Sequence, residues 1–389
     1  MRAEFLPFHL PEFGDEERRA VISTLESKWL TTGPRVEAFE QAFAEYVGAR
    51  HAIAVNSCTA ALHLALEAAG LQENDEVLVP TMTFAATAEV VHYFRARPVL
   101  IDCREDTLNM DVSAMERGIT PKTRAVIPVH FGGQPCEMDH ILEVASAHRL
   151  TVIEDAAHAL PAEYAGKRVG SIGEITCFSF YSTKTITTGG EGGMVTTDNR
   201  AWAERIRMMS LHGLSRTAWK RYEAKGSWRY DILAPGYKYN MTDLAAAFGI
   251  EQLKKADRFR EARARIAAAY DAGFSDLPEI RIPTSLPGIG HAWHLYVIQL
   301  ELDRLTLNRD GFIEALRARN IGVSVHFIPL HLHPYYRDGH GNRPEDCPVA
   351  TAVSERILSL PIFPGMQDAD IQDVIDAVRQ VVETHRRSL

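Results

Sequence analysis

Long uncharged apolar runs are missing from this chain. No stretch approaches the ~18 consecutive apolar residues of a membrane-spanning helix, so none is expected, and no membrane partner either. The first residues, Met1-Arg2-Ala3-Glu4-Phe5-Leu6-Pro7, carry no apolar signal core. Cysteine is scarce, with five in 389 residues, at 58, 103, 136, 177 and 347. An odd count without metal-ligand spacing argues against a disulfide framework and against a metal site, and suits a reducing cytoplasm. Positive charge is not in excess. Lys and Arg number 42 against 51 acidic residues, a net charge of −9, which leaves no footprint for nucleic acid. A phosphorylated ligand would need local donors here, not a general basic field. Internal repeats and low-complexity segments are also lacking.

What is present is a hydrophobic fraction of 46% over a length sufficient for two domains. Apolar runs at 52–55, 76–80, 97–102, 125–130 and 150–155 read as strands. Between them lie helical patterns, among them 36–46 and 138–147, and a first helix at 15–28 with Val21, Ile22 and Leu25 on one face. Strands alternating with helices predict an α/β domain with a mostly parallel sheet. Residues 202–209 continue as a helix, 214–235 as a long loop, and 250–270 as one long helix with a solvated basic face. Strands at 293–298 and 323–327 and helices at 309–320 and 369–383 follow. Three histidines between 326 and 333 are interrupted by proline and lack a neighbouring carboxylate, which argues against a metal.

The stretch from 150 to 198 carries the chemistry. A β-branched run ends in Glu154-Asp155, which reads as a buried strand with acids at its carboxyl end. Lys184 stands among aromatics and small hydroxyl residues, just before the glycine-rich turn 189–193. A lysine that loses solvation there has its neutral, nucleophilic form within reach of neutral pH. Schiff-base chemistry with pyridoxal phosphate needs such a lysine and a buried carboxylate for the pyridine nitrogen. Ser57 stands before an Ala/Leu-rich helix as an amino-terminal cap, a place that suits a phosphate. Ligands of parallel sheets bind at the strands' carboxyl ends, where Ser57, Phe84 and Asp155 all fall.

Glu154-Asp155-Ala156-Ala157-His158-Ala159, then Phe178-Ser179-Phe180 with Lys184, then Gly190-Glu191-Gly192-Gly193-Met194, resemble the sugar aminotransferases of the DegT/DnrJ/EryC1/StrS family. The resemblance implies a fold-type I, aspartate aminotransferase-like α/β protein. It would have an amino-terminal arm and large domain over 1–250, and a linking helix and small α+β domain over 251–389. It also implies an enzyme that moves an amino group from L-glutamate to a nucleotide-linked keto sugar by ping-pong kinetics. Lys184 would hold pyridoxal phosphate and shuttle protons. Asp155 would face the ring nitrogen, His158 the phenolic oxygen, and Phe84 the ring. Ser57, Cys58, Thr59, Ala60 and Ser179 would hold the phosphate. Thr32, Gly33, Tyr181 and His326 would lie near the substrate.

The turn Gly236-Tyr237-Lys238-Tyr239-Asn240 resembles the family's dimer turn, which reaches the neighbour's cofactor phosphate. Lys and Asn stand where Asn and Arg are commonest, and Asn240 is the favoured contact. The same Lys-then-Asn pair, with His291-Ala292-Trp293-His294, resembles enzymes aminating C4 of UDP-linked 4-keto sugars, the 4-amino-4-deoxy-L-arabinose type. The implied unit is a homodimer with shared sites, followed by the alanine-rich segment 244–248 suited to packing between subunits. Three rivals stand beside this. Related dehydratases carry histidine in place of the lysine, which Lys184 opposes. A pyridoxal-binding regulator without turnover lacks support, since no DNA-binding extension is present. A phosphate-ester binder would use Lys184 only as an anion contact. A 3-keto-sugar aminotransferase remains an alternative within the family.

Overall fold

The computed structural model describes residues 2–215 and 230–387. Most of the loop expected over 214–235 therefore lies outside the described residues. An extended arm leads into α1 (Asp15–Ser27) and α2 (Pro34–Val47). Pro34 opens α2 where its missing N–H costs nothing, and the Asp243 carboxylate accepts the next two N–H groups, from Arg35 at 3.1 Å and Val36 at 3.0 Å. The sheet region follows in order: β1 (His51–Val55), α3 (Cys58–Ala68), β2 (Glu76–Pro80), α4 (Ala86–His92), β3 (Arg97–Ile101), α5 (Val112–Arg117), β4 (Thr123–Val126), α6 (Met138–His148) and β5 (Thr151–Asp155). A small hairpin, β6 (Glu163–Tyr164) and β7 (Lys167–Arg168), precedes β8 (Ile175–Ser179), β9 (Gly193–Thr197) and α7 (Arg200–Met209).

Seven strands pair in the order β1-β9-β8-β5-β4-β2-β3. All run parallel except β9, which returns antiparallel between β8 and β1. The apolar strand runs are covered on both faces. One buried cluster joins strand residues such as Ile153 and Cys177 to Leu62, Val90 and Ile206 of α3, α4 and α7. On the other face Phe178 and Met194 pack against Phe39 and Phe43 of α2.

Beyond the sheet come α8 (Asp243–Leu253), α9 (Ala256–Phe274), β10 (Ile280–Arg281), β11 (Ile289–Gly290) and β12 (Tyr296–Leu300). They are followed by α10 (Arg309–Arg317), α11 (Pro334–His340), α12 (Pro348–Ser354), β13 (Ile357–Leu360) and α13 (Asp368–His385). A three-stranded sheet, β10-β12-β13, has its own core with α9, α10 and α13. Leu6 of the arm belongs to this second core, tied by backbone bonds to Asn320 and Gly322, both at 2.8 Å. Among the described residues no helix is long and apolar enough to cross a membrane.

Several expectations give way. The helix foreseen over 250–270 is two helices, broken at Lys254-Lys255, where Lys255 turns to meet the buried Glu17 of α1 at 2.7 Å. That polar anchor also orients α1. Glu17 and Thr24 face inward, while Ile22 and Leu25 stay 53% and 50% exposed, the reverse of the apolar stripe. The basic face of α9 is not wholly solvated, because Arg263 is completely buried. In α8, Ala246 and Ala247 are buried within their own chain while Leu244, Ala245 and Phe248 stay half-buried, and a Cβ on Gly249 would stand 2.8 Å from Phe39. Residues 125–130 do not form a full strand, since Pro128 has no N–H for the ladder; only a bridge from Val129 to Asp155 continues it. The strand at 293–298 starts at Tyr296, because Trp293 takes a left-handed φ of 51°. Residues 323–327 make a single bridge, Ser324 to Ser359, before the chain is drawn away to Thr81 through Leu330 N–H at 2.9 Å.

The start of β9 presses against the turn that precedes α3. A Cβ on Gly193 would lie 2.5 Å from the Ser57 carbonyl and 2.8 Å from the Cys58 nitrogen. Gly193→Ala is therefore expected to cost about 1–3 kcal/mol by overpacking. The measurement is the urea midpoint of unfolding, and a variant with the wild-type midpoint would contradict this close approach.

Candidate active site

Asp155 closes β5 and is only 5% exposed. Its two oxygens are met from different elements. The Ala157 N–H donates to Oδ1 at 3.0 Å, and the Thr87 hydroxyl of α4 donates to Oδ2 at 2.8 Å. Burial holds its carboxyl above the usual range, with these two donors and the charge of Lys184 pulling the other way.

Lys184 sits in the turn between β8 and β9. The turn is pinned by Lys184 N–H to Tyr181 O at 2.8 Å, Ser182 N–H to Gly190 O at 3.0 Å and the Thr187 hydroxyl to Phe180 O at 2.9 Å. The lysine side chain is drawn into the same cleft as Asp155. Desolvation pushes its amine down to about 8, against the opposing pull of Asp155. A substantial neutral fraction near physiological pH follows.

The cap before α3 is formed as the sequence implied: Ser57 Oγ accepts the Ala60 N–H at 3.1 Å. Among the described residues no acceptor claims the N–H groups of Cys58 and Thr59, so that helix end offers two donors. Gly193 pairs with both Val55 and Ser179, which places the Ser179 hydroxyl at the same strand ends as this turn.

His158 lies on the other side of the cleft, buried, with its Nδ1 accepting the Gly132 N–H at 3.3 Å. Its remaining proton is therefore on Nε2. Burial, together with the charges of Lys184 and His326, holds it well below the ordinary histidine range, so the ring is neutral. The ring packs at 4.4 Å from His294 and stacks with Phe327 at 5.9 Å. Phe84 stands at the mouth, 64% exposed and 6.3 Å from Phe327. His326 bonds Ser359 at 2.9 Å, and Tyr181 lies exposed on the rim.

The predicted residues thus gather in two places. Thr32 and Asn240, with Gly33 next in sequence, gather at the outer edge of β1, beside the turn that carries Ser57. Asn240 bridges Val55 on the outer edge of β1, and its amide donates to the Thr32 hydroxyl at 2.7 Å. Lys238 Nζ donates to the side-chain Oδ1 of Asn240 at 2.5 Å. Gly33 accommodates the Trp29 indole, whose Nε1 would be 1.9 Å from a Cβ there.

Three residues near the cleft, Thr87, His9 and Arg263, escaped sequence reading as site residues. Thr87 had a visible signal, the Thr83/Thr87 spacing of one helical turn ahead of a predicted carboxylate. His9 of the arm is half-buried and pushed down to about 3 by burial and the charges of Arg263 and Lys184. Arg263 gave no signal, and His294 stood out only as part of the 291–294 segment, because nothing local marks either as buried. Arg263 donates to the carbonyls of Trp293, His294 and Ile362 at 3.3, 3.3 and 2.7 Å, and so fixes the segment that brings His294 to His158.

The model of the DegT/DnrJ/EryC1/StrS aminotransferase family matches residues 11–379. An uncharacterized protein of Methanocaldococcus jannaschii is 52% identical over 99% of this chain and 100% of its own length. The spore coat polysaccharide biosynthesis protein SpsC of Bacillus subtilis is 50% identical over 98% of each chain. Among solved structures, Spr1654 of Streptococcus pneumoniae, assigned as a sugar aminotransferase and seen in its pyridoxal phosphate form, superposes with a TM-score of 0.91 at 31% identity. That match covers 98% of this chain and 99% of the other. The large sheet domain is accordingly that of the fold-type I aminotransferases.

Lys184 can be tested as a nucleophile. Pyridoxal phosphate added to cofactor-free protein and trapped with borohydride should mark Lys184. The initial capture rate should rise with pH to half its limit near pH 8, since only the neutral amine attacks and its value is about 8. A mark on another lysine, or a half-rise near the unperturbed 10.5, would overturn the assignment.

Proposed function

Because this chain belongs to the DegT/DnrJ/EryC1/StrS aminotransferase family, whose members depend on pyridoxal phosphate, we propose that it transfers an amino group from L-glutamate to a nucleotide-linked 4-keto sugar. The observation that carries the reading is a desolvated lysine in the β8–β9 turn facing the buried carboxylate that closes β5. The cleft fits the cofactor. It offers free N–H groups at the start of α3 for a phosphate, a carboxylate for a pyridinium, a neutral Nε2–H donor and an exposed aromatic face. When bound, the cofactor supplies an aldehyde that takes up the amino group and a protonated ring that withdraws electrons.

The chain's own groups supply the rest. Asp155, ionised, holds the proton on the ring nitrogen. His158 donates from Nε2 to the phenolic oxygen, a role its neutral state allows. Cys58, Thr59 and Ala60 at the helix start, with Ser57 and Ser179, bind the phosphate, and Phe84 covers the ring. With the cofactor bound, the Lys184 amine would hold and move the proton at the donor's α-carbon as general base and acid. The same groups run the second half-reaction in reverse on the keto sugar. Thr32, Gly33, Tyr181 and His326 border the sugar. SpsC, named for polysaccharide biosynthesis, supports a sugar destined for a surface glycan. The Lys238/Asn240 pair and the segment from His291 to His294 support C4 as the aminated carbon.

A panel of 4-keto and 3-keto nucleotide sugars, each assayed with glutamate, tests this. Turnover confined to 4-keto substrates is expected. Turnover of 3-keto substrates alone would move the reaction to C3, and none with any member would remove the sugar assignment.

The outer-edge position of Asn240 supports a dimer in which Asn240 completes the partner's phosphate site. Lys184→Ala and Asn240→Asp variants, each inactive alone, should regain activity on mixing. Two-fold symmetry places both defects in one site of a mixed dimer and leaves the other intact. A silent mixture, with subunit exchange confirmed independently, would show that Asn240 serves its own chain.

A further inference from the structure

We propose that Thr87, backed by Thr83, is a positioning residue that keeps the Asp155 carboxylate ionised and aimed at the cofactor ring nitrogen. This rests on the reading of Asp155 as the ring-nitrogen partner. Thr83, Thr87 and Asp155 are 2%, 1% and 5% exposed, so water does not compete for their bonds. Thr87 Oγ1 lies 2.8 Å from Asp155 Oδ2 and 2.8 Å from Thr83 Oγ1.

The hydrogen directions are fixed by chemistry. An ionised carboxylate only accepts, so the single hydroxyl proton of Thr87 goes to Asp155. Thr83 must then donate to Thr87. Two aligned hydroxyl dipoles thus end on Oδ2, while Oδ1 takes the Ala157 N–H at 3.0 Å. Each oxygen retains acceptor capacity for a pyridinium. A protonated Asp155 would accept more weakly from both donors, and with its proton on Oδ2 it would force both hydroxyls to reverse. The pair therefore favours the charged form at a site where burial opposes it.

The placement has a second consequence. Thr87 is one turn beyond Phe84, and its N–H reaches the Phe84 carbonyl at 3.3 Å. One short turn entering α4 therefore sets both the aromatic at the mouth and the carboxylate at the base of the cleft. Other charged or titratable groups face Asp155 as well. Lys184 comes from the β8–β9 turn, His130 from the segment after β4, and the Cys58 and Cys177 thiols from α3 and β8. Both thiols are buried and pushed well above their ordinary range, and they stay neutral.

The test compares Thr87→Val, which keeps the shape and removes the hydroxyl, with Thr87→Ser, which keeps the hydroxyl. In the holoenzyme, Thr87→Val should lower kcat in both half-reactions by roughly tenfold to a hundredfold, the scale of one hydrogen bond to a charged group. Loss of a donor to the ionised form raises the carboxyl's pKa. The acid limb of the bound cofactor's absorbance titration should accordingly move to higher pH, and Thr87→Ser should restore both. The urea midpoint of cofactor-free protein controls for folding. An absorbance titration unchanged in Thr87→Val would overturn the proposal. So would a Thr87→Ser variant as impaired as Thr87→Val, since that outcome assigns the effect to the methyl group. If wild type itself binds no pyridoxal phosphate, the failure lies in the reading of the site and not in Thr87.

Discussion

A buried carboxylate at the end of β5 is the constraint on which the site depends. Burying an ionised group is costly unless hydrogen bonds and an opposite charge compensate it. Asp155 obtains them from three separate elements: its own turn through Ala157, α4 through Thr87, and the β8–β9 turn through the charge of Lys184. Each of these elements must be in place for the charge to be tolerated. The same burial that raises Asp155 lowers Lys184, so one desolvated cleft produces both an acid that needs help to stay charged and an amine that readily becomes neutral.

The preceding residue secures the strand from below. Side chains alternate along β5, and Glu154 points to the opposite face, where it is fully buried. Its Oε1 accepts the Gly173 N–H at 2.8 Å and the Thr176 hydroxyl at 2.7 Å, and its Oε2 accepts from His130 Nε2 at 2.9 Å. Cys136 N–H donates to His130 Nδ1, which leaves the histidine proton on Nε2. A Cβ on Gly173 would fall 2.7 Å from the same carboxylate, so only glycine leaves room. Two consecutive acids thus do opposite work: one joins the ends of β4, β5 and β8, and the other is held on the opposite face by Ala157 and Thr87.

Legibility of this arrangement in the sequence followed the range of the signals. The strands of the large sheet were visible as apolar runs, and the Ser57 cap as a local hydrogen-bonding pattern. Asp155 and Lys184 were visible because an acid at the end of a buried strand and a lysine among aromatics are each locally odd. Arg263 was read as solvated, since a helix rich in Arg and Glu has a polar face; its burial comes from carbonyls supplied 30 and 99 residues later. The outward turn of Ile22 and Leu25 has a similar cause. Glu17 finds Lys255 and Gln252 far along the chain, and that contact overrides the apolar stripe of α1. Strand ends failed where a single residue intervened, Pro128 without a donor and Trp293 with its left-handed backbone.

Arg263 shows how the second core reaches the first. The guanidinium is fully buried without a carboxylate among its bonded partners, and desolvation pushes it down to about 9. Carbonyl dipoles alone hold it, so the residue is expensive to keep in place. What it secures is specific. One nitrogen gathers Trp293 and His294 before β12 and Ile362 after β13, and thereby fixes the position from which His294 packs against His158. His9 of the arm lies within the same electrostatic neighbourhood, influenced by both Arg263 and Lys184. The wall of the cleft facing His158 is therefore built from the second core and the chain's first residues, while the floor belongs to the sheet. The His158–His294 contact thus joins the second core to the sheet region, while the Asp155–Thr87 bond lies wholly within the sheet region.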